Sequence, residues 1–242
     1  MMTLRIEEAD STNSWVKEHE SGLQPTFLLF ADRQTAGRGQ RGNSWESEPY
    51  MNLTASICLR PEGILPSEQF LISEAVSMAV VDLLAELGVE TKVKWPNDIY
   101  AGDMKICGIL IEHSIMPDRI LRTIAGVGVN VNQTRFVSDA PNPVSVKQLT
   151  GESHEVSTVA RRLAELVEMR MAGMSADKRA THEEYMSRLW RADGTFHPFL
   201  DCRTNEKISA RIADVVPDGM LTLETDGGES RRYAFKEVSF ML

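Results

Sequence analysis

The sequence predicts an α/β chain: a mixed sheet carrying helices, followed by a small all-β companion. Two observations lead there. Over residues 1–192, apolar strand-like runs alternate with segments of helical periodicity. From Phe196 onward the texture changes to short strands broken by Pro217-Asp218-Gly219 and Asp226-Gly227-Gly228, both turn-forming triplets. A length of 242 residues suits one main domain plus a small one, and the division is placed at 1–192 and 193–242.

The elements follow in order. Asp10-Ser11-Thr12-Asn13 are capping residues that open a short helix through Trp15 and Val16. Thr26 to Ala31 is an apolar strand running into Gly37-Arg38-Gly39-Gln40-Arg41-Gly42. In Asn52 to Arg60, Leu53, Ala55, Ile57 and Leu59 alternate as in a strand. Pro66-Ser67 starts a long helix in which Phe70, Leu71, Ala75, Ala79, Leu83 and Leu87 recur at helical spacing, and Gly88 suits its C-terminal cap. Thr91 to Trp95, Lys105 to Ile115 and Arg119 to Val131 read as strands, the last two forming a hairpin through Met116-Pro117-Asp118. Asn132 to Gly151, with Pro141-Asn142-Pro143, lacks periodicity and reads as a long functional loop. Ser157 caps a second long helix and Glu183 to Trp190 forms a third. Short strands near Ile208–Val215, Met220–Glu224 and Arg231–Phe235 then make a barrel-like appendage, stabilised by docking.

Composition removes several function classes. With 42% hydrophobic and 25% charged residues the chain is ordinary globular material. A net charge of −9 argues against a nucleic-acid partner, because phosphate neutralisation needs clustered Lys and Arg. The apolar run Ile72 to Leu87 is interrupted by Glu74 and Asp82, so no membrane span is expected. Glu7, Glu8 and Asp10 make the N-terminus acidic, unlike a signal peptide. Cys58, Cys107 and Cys202 lie too far apart for a CxxC pair, and His19, His113, His154, His182 and His197 form no ligand cluster, so no zinc is assigned. A cytoplasmic protein is expected.

The glycine stretch satisfies G-x-G-x-x-G after a strand, but Gly42 leads into Asn43-Ser44-Trp45 and another strand, with no helix to hold a pyrophosphate. Asn43 also stands where a phosphate-loop lysine would be. What remains is a loop whose glycines let backbone amides and Arg38 and Arg41 approach an anion, or else a solvated hairpin tip. Lys94-Trp95-Pro96-Asn97-Asp98 gathers a cation, an indole, a proline, an amide and a carboxylate between strands. Lys105, next to Gly108 in an otherwise apolar strand, either snorkels or presents charge into a pocket. Gly126 and Gly128, at period two, leave a bare stripe that packs on a helix or receives a ligand.

Taken together, Ser11-Thr12-Asn13, GRGQRG with Trp45, KWPND, K-x-x-G-I-L-x-E and GVGVNVN resemble, in this order, the motifs of the biotin–protein ligases. The likeness runs over nearly the whole chain. It implies a catalytic domain related to class II aminoacyl-tRNA synthetases, followed by an SH3-like barrel. The family loop often reads GRGRRGRxW, so Gln40 and Asn43 are departures, and at position 40 a backbone contact replaces a guanidinium. The larger bifunctional members carry an N-terminal helix-turn-helix domain; with Asp10 so near the start, that domain and operator binding are not expected.

The resemblance implies a chemistry. Biotin's carboxylate attacks the α-phosphate of ATP to give biotinyl-5′-AMP, and a lysine of a biotin carboxyl carrier protein then displaces AMP. An anionic nucleophile meeting a polyanion needs fixed positive charge and Mg²⁺; Arg38 and Lys105 are the candidates for that charge. The acceptor lysine must lose its proton from a pKa of about 10.4, and Asp98 is the candidate to take it, its alternative being a plain turn. For biotin, Ser11, Thr12, Asn13 and Gln34 match the polar head group. Arg38, Gly39 and Gln40 with Lys105 and Gly108 complete its surround, and Trp45, Gly126 and Gly128 form walls. Ser11 to Asn13 also fit a simple helix cap. Arg38, Arg41, Lys94, Asn97 and Asn130 are the nucleotide candidates, and the ligands of Mg²⁺ are not legible. The 32–48 and 132–151 segments are expected to close over the bound adenylate. The chain is read as a monomer or homodimer. Competing readings are a lipoate or octanoyl transferase of the same fold and a non-enzymatic biotin-binding module.

Overall fold

Five consecutive buried residues in one strand mean that both faces of a sheet are covered there. Such runs occur in β2 (Phe27–Gln34) and β3 (Leu53–Leu59), which lie inside a seven-stranded mixed sheet of the computed structural model. The structure describes residues 1–137 and 142–241, with Arg41 described in its backbone alone; Pro141 of the expected loop lies outside the described residues. The other strands are β1 (Met2–Ala9), β4 (Lys92–Lys94), β5 (Asp98–Ala101), β6 (Met104–Met116) and β7 (Arg119–Val129). Their order is β1-β2-β3-β7-β6-β5-β4. β1 pairs parallel to β2 across the short helix α1 (Thr12–His19), and the remaining pairs are antiparallel. The β6–β7 hairpin turns at the expected Met116 to Arg119 tip.

One face of the sheet carries the main core. α2 (Phe70–Glu86) is apolar nearly all round, as a helix buried on several sides must be. It packs on the sheet, on α4 (Val156–Ala176) and on α5 (Lys178–Ser187). The other face holds a small cluster of Val16, Phe27, Leu29, Cys58 and Ile124 beneath α1. Beyond that cluster the same face is bare, and the cleft lies there.

Several boundaries differ from the sequence reading. Glu155, rather than Ser157, caps α4: its carboxylate accepts from the Thr158 amide at 2.7 Å. α5 begins at Lys178, where the Asp177 side chain caps it, earlier than the expected Glu183. The 132–151 segment holds a short helix, α3 (Val146–Thr150), too brief for periodicity to reveal; its Ser145/Gln148 capping box and left-handed Gly151 were the available signals. β1, β5 and two C-terminal strands also escape the periodicity test because they are short or polar.

The C-terminal part is a five-stranded antiparallel sheet of β8 (His197–Asp201), β9 (Glu206–Val215), β10 (Leu221–Thr225), β11 (Ser230–Tyr233) and β12 (Val238–Phe240), in the order β11-β10-β9-β8-β12. It docks through backbone acceptors: Trp95 Nε1 donates to Gly219 O at 3.0 Å, Phe70 N to Pro217 O at 3.2 Å and Arg191 Nη1 to Met241 O at 2.6 Å.

Candidate active site

Strand register builds the floor of the cleft. Ala31, Thr54, Gly128, Gly108 and Asp98 are successive partners across β2, β3, β7, β6 and β5. This row of small side chains ends in a carboxylate. The next row on the same face runs Leu29, Ser56, Gly126 and Leu110. Four small residues side by side leave a depression, and a cleft of about 500 Å³ lies over it. The glycines cannot be exchanged freely. A Cβ on Gly128 would stand 2.4 Å from Trp45 Cε2, and one on Gly126 would stand 2.6 Å from Asn13 Oδ1. The bare stripe therefore receives Trp45 at Gly128 and Asn13 of helix α1 at Gly126.

The GRGQRG stretch is a closed hairpin. Arg38 bridges Ser44, Trp45 N donates to Gly37 O at 2.9 Å, and Gln40–Gly42 form one 3₁₀ turn. A Cβ at Gly37 would meet Trp45 O at 2.4 Å, so this close crossing requires glycine. No α-helix follows Gly42, which agrees with setting aside the dinucleotide pattern.

At one end of the cleft, polar groups are held ready by one another. Gln34 Oε1 accepts from Thr12 N at 2.8 Å, and buried Ser56 donates to Asn13 Oδ1 at 2.5 Å while its Oγ lies 2.7 Å from the Thr12 hydroxyl. Ser11 sits at the N-cap position of α1, yet its side chain makes no capping bond and lines the cleft. The simple-cap reading thus fails for this serine. Glu112 gathers Asn13 Nδ2 at 2.9 Å, Lys17 Nζ at 2.6 Å and Arg38 Nη2 at 3.1 Å. Burial works to raise its pKa, but the Lys17 and Asn13 bonds with the Lys17 and Arg38 charges hold it below the usual range. Sequence reasoning missed Ser56 and the role of Glu112. The motif K-x-x-G-I-L-x-E contained the glutamate, whereas only sheet register could reveal the serine.

At the other end, Lys105 Nζ lies 2.7 Å from Asp98 Oδ1 and 5.8 Å from the centre of the Trp45 ring. Asn97 lines the cleft while its amide donates to Ile109 O at 2.8 Å, pinning the edge of β6. Gly39 and Gln40 also line the cleft, so all the expected biotin positions converge on it.

The nucleotide candidates divide. Lys94 lines the cleft, but its ammonium donates to Tyr100 Oη at 2.8 Å and sits 4.5, 5.5 and 5.7 Å from the ring centres of Tyr100, Trp190 and Phe240. Burial in this aromatic cage lowers its pKa. Asn130 is buried away from the cleft wall; its side chain donates to Val144 O at 3.0 Å and ties down the segment before α3. The Arg41 side chain lies outside the described residues. The C-terminal sheet, which sequence reading left out of the site, supplies Phe235, Lys236 and Phe240 to the wall. Among the described residues no group of three or more His, Cys, Asp or Glu is arranged to hold a metal ion, and no helix is long and apolar enough to cross a membrane.

Residues 6–130 match the model of the biotin/lipoate A/B protein ligase family. The bifunctional ligase/repressor BirA of Bacillus spizizenii is 29% identical over 221 residues, a match covering 86% of this chain and 64% of that protein. The biotin–[acetyl-CoA-carboxylase] ligase of Paracoccus denitrificans is 31% identical over 61% of this chain and 64% of its own length. The chain thus spans less than two thirds of these relatives. In fold it is similar to the Aquifex aeolicus biotin protein ligase solved with biotin and ATP, with a TM-score of 0.80, 23% identity, and 99% and 98% of the two chains covered.

Proposed function

The chain belongs to the biotin/lipoate A/B protein ligase family, and from that premise we propose that it activates biotin with ATP and transfers it to a lysine of a biotin carboxyl carrier protein. The observation carrying this reading is the convergence of a hydrogen-bonding set (Ser11, Thr12, Asn13, Gln34) and a lysine–carboxylate pair (Lys105, Asp98) on one glycine floor. The first set offers donors and acceptors to a ureido ring, which must be satisfied once buried. The second offers a cation to the carboxylate and the α-phosphate that must meet and a carboxylate to the acceptor amine.

In the first step a biotin carboxylate oxygen bonds to the α-phosphorus, and the bond to the β-phosphate oxygen breaks, releasing pyrophosphate. Lys105 turns from Asp98 onto the reacting anions, and Arg38 leaves Glu112 to join it. One such fixed cation typically supplies about 3–4 kcal/mol of transition-state stabilisation. The same movement frees Asp98. In the second step that carboxylate orients the acceptor amine and takes its proton, as the nitrogen bonds to the acyl carbon and AMP leaves. An ion pair that opens on ligand arrival would therefore arm the second step by completing the first.

Mg²⁺ enters as the partner of ATP. The described residues offer it no acidic cage, and a magnesium ion held chiefly by substrate phosphates and water needs none.

The family also includes lipoate ligases, so the test carries both acids. Pyrophosphate release is measured with biotin and with lipoate, then label transfer with and without a carrier domain. Biotin-dependent release followed by carrier labelling supports the reading, and release with lipoate alone replaces it.

A further inference from the structure

Three cations of the cleft have internal partners: Arg38 has Glu112, Lys105 has Asp98 and Lys94 has Tyr100. Lys236 differs. It lines the cleft from the turn between β11 and β12, is exposed, and pairs with no carboxylate among the described residues. Its turn is tightly built: Glu237 N donates to Ala234 O at 3.0 Å, and Ala234 N donates to Glu237 Oε2 at 2.8 Å. The neighbouring Phe235 meets Trp95 edge to face at 6.4 Å, which fixes the turn against the KWPND segment.

The backbone at Lys236 has φ 72°, a conformation that glycine adopts without steric cost and lysine does not. The hydrogen bonds that build the turn do not use the lysine side chain, whose ammonium lies 6.0 Å from the centre of the Phe235 ring. A charged side chain at a glycine-type position beside a cleft points to a role in what the cleft holds. We propose that Lys236 is a phosphate-binding cation contributed by the C-terminal sheet, engaging the β- and γ-phosphates of a nucleoside triphosphate. The inference rests on the proposed function and adds a residue to it. Lys105 is a largely buried floor residue suited to the α-phosphate, whereas Lys236 stands exposed on the wall, where the departing pyrophosphate lies. As the α-phosphorus bonds to the biotin oxygen, pyrophosphate takes the electron pair of the broken bond. Lys236 keeps its proton throughout and neutralises part of the charge that leaves.

The turn makes the test clean, because Lys236→Gly relieves the backbone while removing the charge. Lys236→Met removes the charge and keeps a side chain, and Lys236→Arg keeps the charge. Equilibrium binding of ATP and of AMP is measured on each full-length protein, together with pyrophosphate release and transfer from preformed biotinyl-5′-AMP. We expect Lys236→Gly and Lys236→Met to weaken ATP binding about tenfold and raise the KM for ATP alike. AMP binding, the KM for biotin and transfer from the preformed adenylate stay at wild-type values, and Lys236→Arg stays close to wild type. Added salt weakens ATP binding less in the neutral variants. Unchanged ATP affinity in both neutral variants overturns the inference, as does slowed transfer from the preformed adenylate, which would assign Lys236 to the carrier protein. A wild-type protein that binds ATP but releases no pyrophosphate with biotin defeats the proposed function and leaves the ATP-against-AMP comparison able to decide on Lys236.

Discussion

Two of the charge clusters that bridge separate elements of this molecule have opposite characters. Lys105 and Asp98 face the cleft with side chains 23% and 21% exposed, each with room to take another partner. Glu74 on α2, His182 on α5 and Asp214 on β9 form the second cluster, at the seam with the C-terminal sheet. His182 Nδ1 lies 2.9 Å from Glu74 Oε1, and its Nε2 lies 3.0 Å from Asp214 Oδ1. Glu74 is 1% exposed there, and burial pushes its carboxyl up to about 7 against the opposing pull of His182. A strongly shifted carboxyl is a common sign of a functional site. In this protein that carboxyl belongs to the seam, outside the cleft. Access to an incoming anion, rather than perturbed titration, distinguishes the chemistry from the scaffold.

The sharpest way to break this contrast is to remove the cleft cation. Lys105→Ala should lower pyrophosphate release about a thousandfold and leave the melting temperature nearly unchanged; near-wild-type release would show that the pair is structural. Asp98→Asn should still form the adenylate yet slow single-turnover transfer to the carrier about a hundredfold, and an equal rate would return Asp98 to a turn role. Gly128→Ala tests the floor itself. With Trp45 only 2.4 Å from the new methyl, the indole must shift, and the KM for biotin should rise about tenfold at a stability cost of about 1–3 kcal/mol.

The seam is expected to show itself in stability alone. Glu74 has a folded pKa above its unfolded one, so folding favours its protonated form, and stability is lost as pH rises from about 4.5 to about 7. Burial opposes the charge on His182, but Glu74 and Asp214 raise its pKa above 6.5, so its contribution is complete below that value and is also lost as pH rises. The two effects share a sign, so both remove stability as pH rises. Thermal melts between pH 5 and pH 8 should fall with pH in the wild type and flatten in Glu74→Gln, with pyrophosphate release at pH 7 unaffected. Parallel slopes for the two proteins would show that the seam cluster does not set this dependence.

The cleft was legible where its chemistry is local in the chain. Arg38-Gly39-Gln40, KWPND, Lys105 and the glycines at period two carried their reading in neighbouring residues, and all line the cleft. What register decides was not legible. Asp98 becomes the end of the floor row because it pairs with Gly108, and Ser56 becomes a hub because it stands opposite Gly126. Asn130 shows the converse: it belongs to a persuasive motif at the spacing of Gly126 and Gly128, yet it lies just past the end of β7, where its amide donates to Val144 O. The Lys94 cage required three aromatic residues from β5, the chain after α5, and β12, a combination no sequence window contains. The terminus at Glu155 escapes a reading that seeks caps among Ser, Thr, Asp and Asn, whereas Asp177 was an available capping signal.

The position of Phe235, Lys236 and Phe240 in the sequence also sets a timetable. The floor is complete once Val129 has been translated, but the opposite wall and the Lys94 cage await β12. At a synthesis rate of about 5–20 residues per second, that interval lasts roughly 5–20 s. During it a nascent chain carries a nearly finished binding surface with one side missing. On the proposed function, ribosome-bound copies would be poor at capturing ATP until the C-terminal sheet docks. A translational stall between α5 and β12 would leave the cleft without that wall.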